Sequence, residues 1–562
     1  MILRCQKGKT RGTFVVLCRH FFIRFFQNDS IAFLDMQLEK VVVTAVILSV
    51  AGALFSLSIL FPKYLFTPDS PASWFEKCYF LSFIILVFAV ISILQWDHFF
   101  LDRRDFLNLG HLPISLFRIL VAKIAAIGLF IGLYCLSVAL ASGLIFTVLL
   151  TSKQTSILYS VRYFFAHFIV AWLACLFVFF LCAFIQSLFM IILPRNWFRQ
   201  AGVYLQFIWI FAVMVLFACI DRSLQAASGW LAQSDPRSLV LPPLWFTGLY
   251  ELLIGRHNPF YFRLALAGIV VLLLLLLVYI SVAAIGYRRH FRRQDEQDEL
   301  ISPESKFIVA LKRLFLRHPH ERVVYDFTVA TLKRSSLHRF RIGGFLAVGT
   351  ALALLLFIKG IALGSTALAL AFKIAPLHLL FAFSLISLRA IVEIPVEFDA
   401  NWIFRSAADE RPAVYRSGLI KAAAVRVMLP IAIMGGIFHW LAGGARFALI
   451  HTVFVIALAF IILEAAFLRF RKIPFTCSYL PGKAKMKIFA GPYIFAFLFY
   501  LILVTLIEQF CLVRPVAMIM GIFLLLAVAG ILHWAGLRRK GEALQFFEEP
   551  DPVMLSLEID HD

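Results

Sequence analysis

Charged residues are scarce in this chain: Asp, Glu, Lys and Arg together make up only 15% of its 562 residues. A soluble domain is about one quarter charged and about half apolar, whereas 62% of these residues are hydrophobic and the mean hydropathy is +0.91. A soluble fold of this length could not bury so much apolar surface. The composition therefore predicts that lipid is the solvent for most of the chain.

Acidic residues are fewer than basic ones, with 32 Asp and Glu against 53 Lys and Arg and a formal net charge of +21. In a soluble protein this excess would indicate nucleic-acid binding. Here the basic residues lie mainly beside apolar segments, which is the arrangement that orients helices in a membrane. We therefore expect membrane lipid as a partner and no nucleic acid.

Motifs that carry chemistry are missing from the sequence. The nine cysteines form no CxxC pair and most lie in apolar runs, so we expect no disulfide framework. No HExxH or similarly spaced ligand set occurs, and no GxxxxGK[ST] loop for phosphate binding. The sequence predicts no catalytic residue, no cofactor and no metal site, so any ATP would be used by another subunit.

Residues 1–26 lack a small-residue cleavage site, which argues against a removed signal peptide.

Long apolar runs dominate the chain. A helix needs roughly 20 apolar residues to cross a bilayer. Suitable stretches lie near 41–61, 78–96, 118–149, 163–193, 201–220, 264–286, 343–361, 375–392, 416–441, 447–468, 488–512 and 515–535. The sequence thus predicts an all-α fold, a polytopic transmembrane helical bundle of about twelve spans.

The basic residues predict the orientation of these spans, because cytoplasmic loops are enriched in Lys and Arg. With the N-terminus in the cytoplasm, the segment 287–342 is also cytoplasmic, and it carries 13 of the basic residues. The loop at 469–487 and the triplet Arg538, Arg539 and Lys540 fall on the same side. We expect a protein of the cytoplasmic (inner or plasma) membrane with both termini in the cytoplasm.

The basic segment at 287–342 divides six predicted spans from six. Arg118 and Lys123 align with Arg416 and Lys421 at an offset of 298 residues, as an internal repeat would require. Both halves have the same orientation, so the predicted repeat is parallel. The predicted organisation is a first half at 1–286, a cytoplasmic linker with an interfacial helix at 287–342, a second half at 343–540 and an acidic cytoplasmic tail at 541–562.

Ionisable residues inside predicted spans are candidates for function, because charge in lipid is costly. These residues are Lys359, Arg389, Glu464 and Glu508. Each lies near the end of its span, so we expect it to reach the headgroups or to pair with a neighbour, as Glu464 could with Arg469. No span carries a mid-membrane chain of acids, which argues against a proton relay. On the fourth span, we expect His167 and Gln186 to bind neighbouring helices.

A charged loop follows the second span of each half, at 97–117 and at 393–415. In the later loop, Phe398, Trp402 and Arg405 have the spacing of one helical face. Each loop is interpreted as a short amphipathic helix at the cytoplasmic surface. Such a helix either docks a partner subunit or lies against lipid headgroups.

The connection between the fifth and sixth spans contains an aromatic and proline-rich stretch at 241–251. This composition predicts a re-entrant or interfacial hairpin on the outer side. Trp245 and Tyr250 are the expected anchors at the membrane surface.

The run from Leu109 to Lys123, which contains Leu-Pro-Ile-Ser at 112–115, resembles the permeases of type-2 ATP-binding-cassette exporters. In that family an interfacial helix precedes the first span, and the cytoplasmic loop after the second span helps to engage the ATPase. The resemblance implies interfacial helices at 30–40 and 321–341. Members of the family usually carry six spans per chain and dimerise, so this chain would be both halves fused.

By the same resemblance, the loops at 97–117 and 393–415 would contact a separate soluble ATPase subunit. The residues expected in or beside these contacts are Asp102, Arg103, Arg104, Arg118, Lys123, Trp402, Arg405, Arg416 and Lys421. The implied function is the permease subunit of an exporter, which moves a substrate that the sequence does not identify.

Other functions stay open at this stage. A membrane-embedded glycosyltransferase would require paired carboxylates in the first outer loop. This loop, at 62–77, contains only Asp69 and Glu76 as acidic residues. A secondary transporter coupled to an ion gradient would require acidic residues in the middle of the spans, and no predicted span carries a chain of them. A scaffold without transport activity is a further alternative.

Overall fold

A computed structural model describes residues 10–26, 37–66, 74–96, 99, 109, 111–151, 156–193, 195–232, 235–292, 315–316, 318–364, 366–396, 412–476 and 486–538. Within these ranges every regular element is a helix, and no strand forms. The all-α class predicted from the sequence is confirmed for this part of the chain.

The helices before the predicted linker are separated mostly by short connections. They are α1 (Thr10–Phe26), α2 (Gln37–Phe66), α3 (Trp74–Leu94), α4 (Leu116–Thr151), α5 (Ile157–Ile192), α6 (Arg195–Ala218), α7 (Ile220–Ala232), α8 (Pro242–Leu253) and α9 (Pro259–Arg292).

The helices that follow are α10 (Pro319–Arg334), α11 (Ser336–Ala362), α12 (Ala367–Ile391), α13 (Pro412–Ala423), α14 (Leu429–Gly443), α15 (Ala445–Phe467), α16 (Met486–Leu512) and α17 (Pro515–Leu537). The helix α13 continues into α14 through a single π-helical turn at Ala424–Met428. Pro430 lies two residues beyond this turn, and a proline ring collides with the backbone of a regular α-helix one turn earlier.

Nine helices in the described ranges are long and apolar enough to cross a membrane, or ten if the bent pair Tyr204–Ala218 and Arg222–Trp230 is one span. The apolar helices Ala45–Phe61 and Ala496–Leu512 are shorter. Each of the twelve predicted spans coincides with one of these helices. The helices are consistent with an integral membrane protein, while the full count of twelve spans stays a prediction.

The chain divides into two compact units. Unit 1 comprises Met1–Gly202 and Ala212–Asp298, and unit 2 comprises Val203–Phe211 and Glu299–Asp562. The main boundary falls inside the segment that the sequence analysis assigned to the cytoplasmic linker.

Unit 1 is built around the long neighbouring helices α4 and α5. The helix α2 packs so closely on α4 that a Cβ atom at Gly52 would lie 2.7 Å from the carbonyl oxygen of Val138. The helix α1 also packs on α4, where the ring of Phe25 stacks on that of Phe130 at 4.8 Å between centroids. The helices α3 and α8 pack against α5.

Unit 2 is built around α12, which contacts α11, α15 and α16. Leu377, Phe381 and Leu385 of α12 are fully buried at four-residue spacing, the pattern of an apolar helix face. The helix α10 packs on α13. The units are not packed alike, because α2 packs on α4 in unit 1 whereas α11 packs on α12 in unit 2.

Three expectations from the sequence differ from the structure. The expected interfacial helix at 321–341 is divided at Ser335 between α10 and α11. The segment 30–40 was expected to be an interfacial helix, but α2 begins at Gln37 and runs on into the first apolar stretch, and residues 30–36 lie outside the described ranges. The stretch 241–251 forms the single helix α8, and Tyr250 within it is buried in unit 1. Tyr250 is therefore not an anchor at the membrane surface.

Candidate functional site

Two histidines and a glutamate from three helices of unit 2 meet inside the protein. Oε2 of Glu508 on α16 lies 2.5 Å from Nε2 of His378 on α12. Oε1 of the same carboxylate lies 2.6 Å from Nδ1 of His451 on α15. All three side chains have 0% exposure. One carboxylate thus binds both rings, with one oxygen for each.

Each of the three residues lies at a defined distance from one end of its helix, and two of these ends have clear boundary features. Thr366 caps α12 by accepting a hydrogen bond from the N–H of Ala369, and Gly444, with φ +84°, separates α14 from α15. With a rise of about 1.5 Å per residue, His378 lies roughly 17 Å from the start of α12. His451 lies roughly 9 Å from the start of α15, and Glu508 roughly 6 Å from the end of α16.

A fourth polar side chain, His439 on α14, borders the cluster. Its ring centroid lies 4.6 Å from that of His451. Its Nδ1 and Nε2 lie 2.7 and 3.0 Å from the carbonyl oxygens of Gly435 and Lys373. Both ring nitrogens are therefore directed at backbone acceptors, and Glu508 is left to the other two histidines.

The second ring nitrogens of the cluster have no such partners. Nδ1 of His378 and Nε2 of His451 are buried without a hydrogen bond in the described part of the chain. A carboxylate in an apolar interior must be paired or neutralised. Glu508 with two imidazoles can meet that need by holding protons or by holding a metal cation.

This cluster was not predicted from the sequence. Glu508 was expected near the outer face as an end-of-span charge, whereas its carboxylate is enclosed between two histidines. The nearby cation Arg514 stacks on the ring of Phe510 at 3.9 Å instead. No metal site was predicted from the motifs of the sequence, which do not include these three residues; together they form a group that could hold a metal ion.

A second buried network surrounds Arg416 on α13. Its guanidinium forms an ion pair with Glu464 on α15 and donates from Nε to the carbonyl oxygen of Phe467 at 3.0 Å. The other carboxylate oxygen of Glu464 lies 2.7 Å from Nδ1 of His533 on α17. The predicted partner of Glu464, Arg469, is therefore wrong.

A third polar contact joins α13 to α10. Nζ of Lys421 lies 2.7 Å from Oε1 of Glu321, and Ser417 donates to the same oxygen at 2.5 Å. The backbones are close as well, since a Cβ atom at Gly418 would lie 2.6 Å from the carbonyl oxygen of Glu321. Lys421 also donates to the carbonyl oxygen of Phe315 at 2.7 Å.

Unit 1 contains a buried ion pair of its own. Nζ of Lys77 on α3 lies 2.8 Å from Oε1 of Glu251 on α8, and both side chains have 0% exposure. The ammonium group also lies 4.9 Å from the ring centroid of Tyr250 and 5.2 Å from that of Tyr163. Arg256 approaches the second oxygen of Glu251 at 3.4 Å.

Polar contacts between helices continue from this pair. The ring of His167 lies 3.3 Å from the hydroxyl of Tyr250 and 3.1 Å from that of Ser142. Burial, and then the charge of Glu251, raise the pKa of Tyr250 well above its ordinary value, so the phenol keeps its proton. Gln186 donates to the carbonyl oxygen of Trp96 at 3.2 Å. His167 and Gln186 thus make the interhelical contacts expected of them.

The residues expected to contact an ATPase are placed differently from one another. Asp102, Arg103, Arg104, Trp402 and Arg405 lie outside the described residues. Arg118 is exposed in the first turn of α4, and Lys421 is partly exposed. Lys123 and Arg416 are buried in their units, so they could support such a contact but not make it.

The remaining charges in predicted spans lie near the ends of their helices. Lys359 is exposed near the end of α11, with its ammonium 5.1 Å from the ring centroid of Phe372. Arg389, near the end of α12, forms an ion pair with Glu393.

Comparisons with known proteins give no further guide. No protein-family model, curated protein or solved structure matches this chain. The resemblance to type-2 exporter permeases is therefore a prediction from the sequence.

Proposed function

We propose that this chain is the permease subunit of an ATP-driven exporter, with two six-span halves in one chain and a separate soluble ATPase as partner. One observation carries the proposal, the same local arrangement in both units. The repeated Arg and Lys lie on α4 in unit 1 and on α13 in unit 2. In each unit an earlier helix packs along the helix that carries them, α1 on α4 and α10 on α13. A permease built from two related halves requires such a duplication.

The two lysines aligned by the repeat, Lys123 and Lys421, contact that earlier helix in their own units. Nζ of Lys123 lies 5.7 Å from the ring centroid of Phe21 on α1. Nζ of Lys421 binds the carboxylate of Glu321 on α10. The alignment of the two lysines was made from the sequence alone, so the contact of each with the earlier helix, to an aromatic ring in unit 1 and to a carboxylate in unit 2, is independent support for a repeat.

The α10–α13 contact is suited to transmit movement. Gly418 allows the two backbones to touch, and the ion pair between Lys421 and Glu321 fixes their register. A rigid-body shift of α10, driven by closure of ATPase subunits, would therefore move α13 and the span that continues from it. Packed helices switch between discrete arrangements more readily than they deform.

The start of the loop at 393–415, which is proposed to contact the ATPase, is held by hydrogen bonds to other parts of unit 2. The N–H of Phe475 donates to the carbonyl oxygen of Val392 at 2.9 Å, and the N–H of Val396 donates back to Phe475 at 3.1 Å. Nε2 of His338 lies 3.0 Å from the carbonyl oxygen of Ile394. Because these hydrogen bonds fix the residues that directly follow α12, a movement of a partner bound to the loop would be transmitted to α12.

The test is purification of the full chain from its native membrane, followed by identification of bound soluble proteins by mass spectrometry. We expect a stoichiometric ATPase that carries a GxxxxGK[ST] loop and dissociates from the Arg104→Glu and Arg405→Glu variants. Lys359→Glu is the matched control, because Lys359 lies at the predicted outer end of its span and should leave the ATPase bound. Absence of any ATPase, or its retention by both loop variants, would contradict the proposal.

A second candidate function is transport coupled to an ion gradient. The buried cluster of Glu508 with His378 and His451 favours it, because ionisable residues inside a membrane commonly mark ion or proton pathways. Transport that continues without any ATPase but stops when an uncoupler is added would establish this function and exclude the exporter.

A further inference from the structure

The side chains of His378, His451 and Glu508 have the composition of a site for a divalent transition metal. One ligand atom from each residue lies within 4.8 Å of the other two. Zn²⁺ binds histidine nitrogen at about 2.0–2.1 Å and carboxylate oxygen at about 2.0–2.2 Å. Ligand atoms around such an ion are therefore separated by roughly 3–4 Å, a spacing that small rotations of the three side chains can reach.

We propose that His378, His451 and Glu508 bind a resident divalent transition-metal ion of the Zn²⁺ class, which ties α12, α15 and α16 of unit 2 together. The three ligands come from three separate helices, at sequence separations of 57 to 130 residues. An ion bound by all of them is a cross-link between three apolar helices. The proposal does not depend on whether ATP or an ion gradient drives transport.

The chemistry of the ligands selects the class of ion. Imidazole nitrogen favours zinc, copper, iron and nickel, whereas magnesium and calcium prefer sites built from oxygen alone. Cys511 lies one turn beyond Glu508, but it packs with Phe454 and Met518 in a hydrophobic cluster. The ligand set is therefore two nitrogens and one oxygen, without sulfur.

Hydrogen bonds alone leave the cluster incompletely satisfied. Each imidazole has two nitrogens, and only one of them contacts Glu508. A neutral ring then has a second nitrogen that accepts without a donor, and a protonated ring has a second N–H without an acceptor. Burying such a group is costly in either state. A cation bound between the two rings and the carboxylate would leave these second nitrogens as they are, but it would counter the buried negative charge of Glu508, which two neutral rings do not.

The same unpartnered nitrogens predict how firmly the ion is held. A metal-bound histidine usually donates its other N–H to a protein acceptor, and loss of that partner costs about 10–100-fold in affinity. No such acceptor is present for Nδ1 of His378 or Nε2 of His451 among the described residues. We therefore expect a strong chelator to remove the ion from the folded protein and added Zn²⁺ to restore it.

The experiment uses the full chain in lipid nanodiscs, stripped with a chelator and then titrated with Zn²⁺. Bound metal is counted by mass spectrometry, and the Tm is measured with and without the ion. We expect one Zn²⁺ per chain and a higher Tm with Zn²⁺, but no change with Mg²⁺. The variants His378→Ala, His451→Ala and Glu508→Ala should lose both effects.

The matched control is His533→Ala, which removes a histidine of the same unit that pairs with a different carboxylate, Glu464. It should bind Zn²⁺ as the unaltered chain does. The proposal is overturned if the unaltered chain binds no Zn²⁺, or if the three ligand variants bind as much as His533→Ala.

A spectroscopic measurement keeps the test decisive if the ligand variants do not fold. X-ray absorption of the Zn²⁺-loaded unaltered chain should show nitrogen and oxygen neighbours with the scattering of two imidazole rings. A sulfur neighbour, or a shell without imidazole, would place the ion at another site and overturn the proposal.

Discussion

The guanidinium of Arg416 and the carboxylate of Glu464, 48 positions apart in sequence, pair in a space that exists because residue 536 is glycine. A Cβ atom at Gly536 on α17 would lie 1.9 Å from Nη1 of Arg416. No contact of that length is possible between these atoms, so a side chain at 536 would displace the arginine. The ion pair and the packing of α17 are therefore parts of one arrangement.

The first prediction concerns this glycine. We expect Gly536→Ala to destabilise unit 2 by about 1–3 kcal/mol, the range for an added group in a packed interior. Gly530→Ala is the control on the same helix, because nothing lies within 4 Å of a Cβ atom there. It should be neutral or stabilising by up to ~1 kcal/mol from helix propensity. Thermal unfolding of both variants in detergent checks the prediction, and equal Tm values would contradict it.

The second prediction concerns the buried pair of Lys77 and Glu251. Lys77→Met leaves the carboxylate without its main partner inside the protein, and breaking a buried pair costs about 3–5 kcal/mol. The double variant Lys77→Met, Glu251→Leu removes both charges and should recover most of that loss. Unfolding curves of the single and double variants measure the effect. Additive losses in the double variant would show that the two charges are not coupled.

The third prediction concerns the contact between α10 and α13. Lys421→Glu places a second carboxylate beside Glu321, and we expect the two to repel. The side chain of Lys421 is 33% exposed, so the loss of stability should be about 1 kcal/mol or less. Exchange of the charges in Lys421→Glu, Glu321→Lys should restore both stability and retention of the ATPase. If the exchange restores stability alone, the contact has a structural role only.

The fourth prediction concerns the close packing of α2 on α4. A Cβ atom at Gly52 would meet the carbonyl oxygen of Val138 at 2.7 Å, so Gly52→Ala must push the helices apart. We expect a loss of about 1–3 kcal/mol. Gly128→Ala on α4 is the control, since a Cβ atom there meets nothing within 4 Å. Similar Tm values for the two variants would mean that α2 does not lie against α4 as described.

Much of the fold follows from the sequence, because lipid imposes a strong length rule on apolar helices. Each predicted span coincides with an apolar helix, with differences of several residues at the ends. The breaks within helices were not predictable from length and hydropathy. The bend of 68° after Ala218 and the π turn before Pro430 depend on local backbone geometry.

The positions of the site residues along the predicted spans contained information about the candidate site that was not used. His378 and His451 lie near the starts of their predicted spans, whereas His439 and Glu508 lie near the ends of theirs. In the predicted alternation all four belong to the outer ends, so the orientation alone places them at similar depth. That signal was available, but Glu508 was treated as an isolated charge. The contacts among these four side chains depend on how the helices pack, and the hydrophobic periodicity of the sequence does not specify that packing.

The partners of Glu464 illustrate the same limit. Arg469 is near in sequence and was the predicted partner, yet the carboxylate binds Arg416 and His533 from other helices. Long-range pairs of this kind are set by which helices are neighbours. Only the repeat alignment of Arg118 and Lys123 with Arg416 and Lys421 gave any indication that residue 416 was of structural importance.

Sidedness of inserted epitope tags tests most directly whether the chain crosses the bilayer with its basic segments on one face. Tags are placed at residue 300, after residue 562, and in the connection 152–155 between α4 and α5. We predict that antibodies reach the tag at 152–155 in intact cells, and reach the other two only after the membrane is permeabilised. Tags at 300 and 562 on opposite faces would contradict the orientation, the repeat and the proposed docking of an ATPase together.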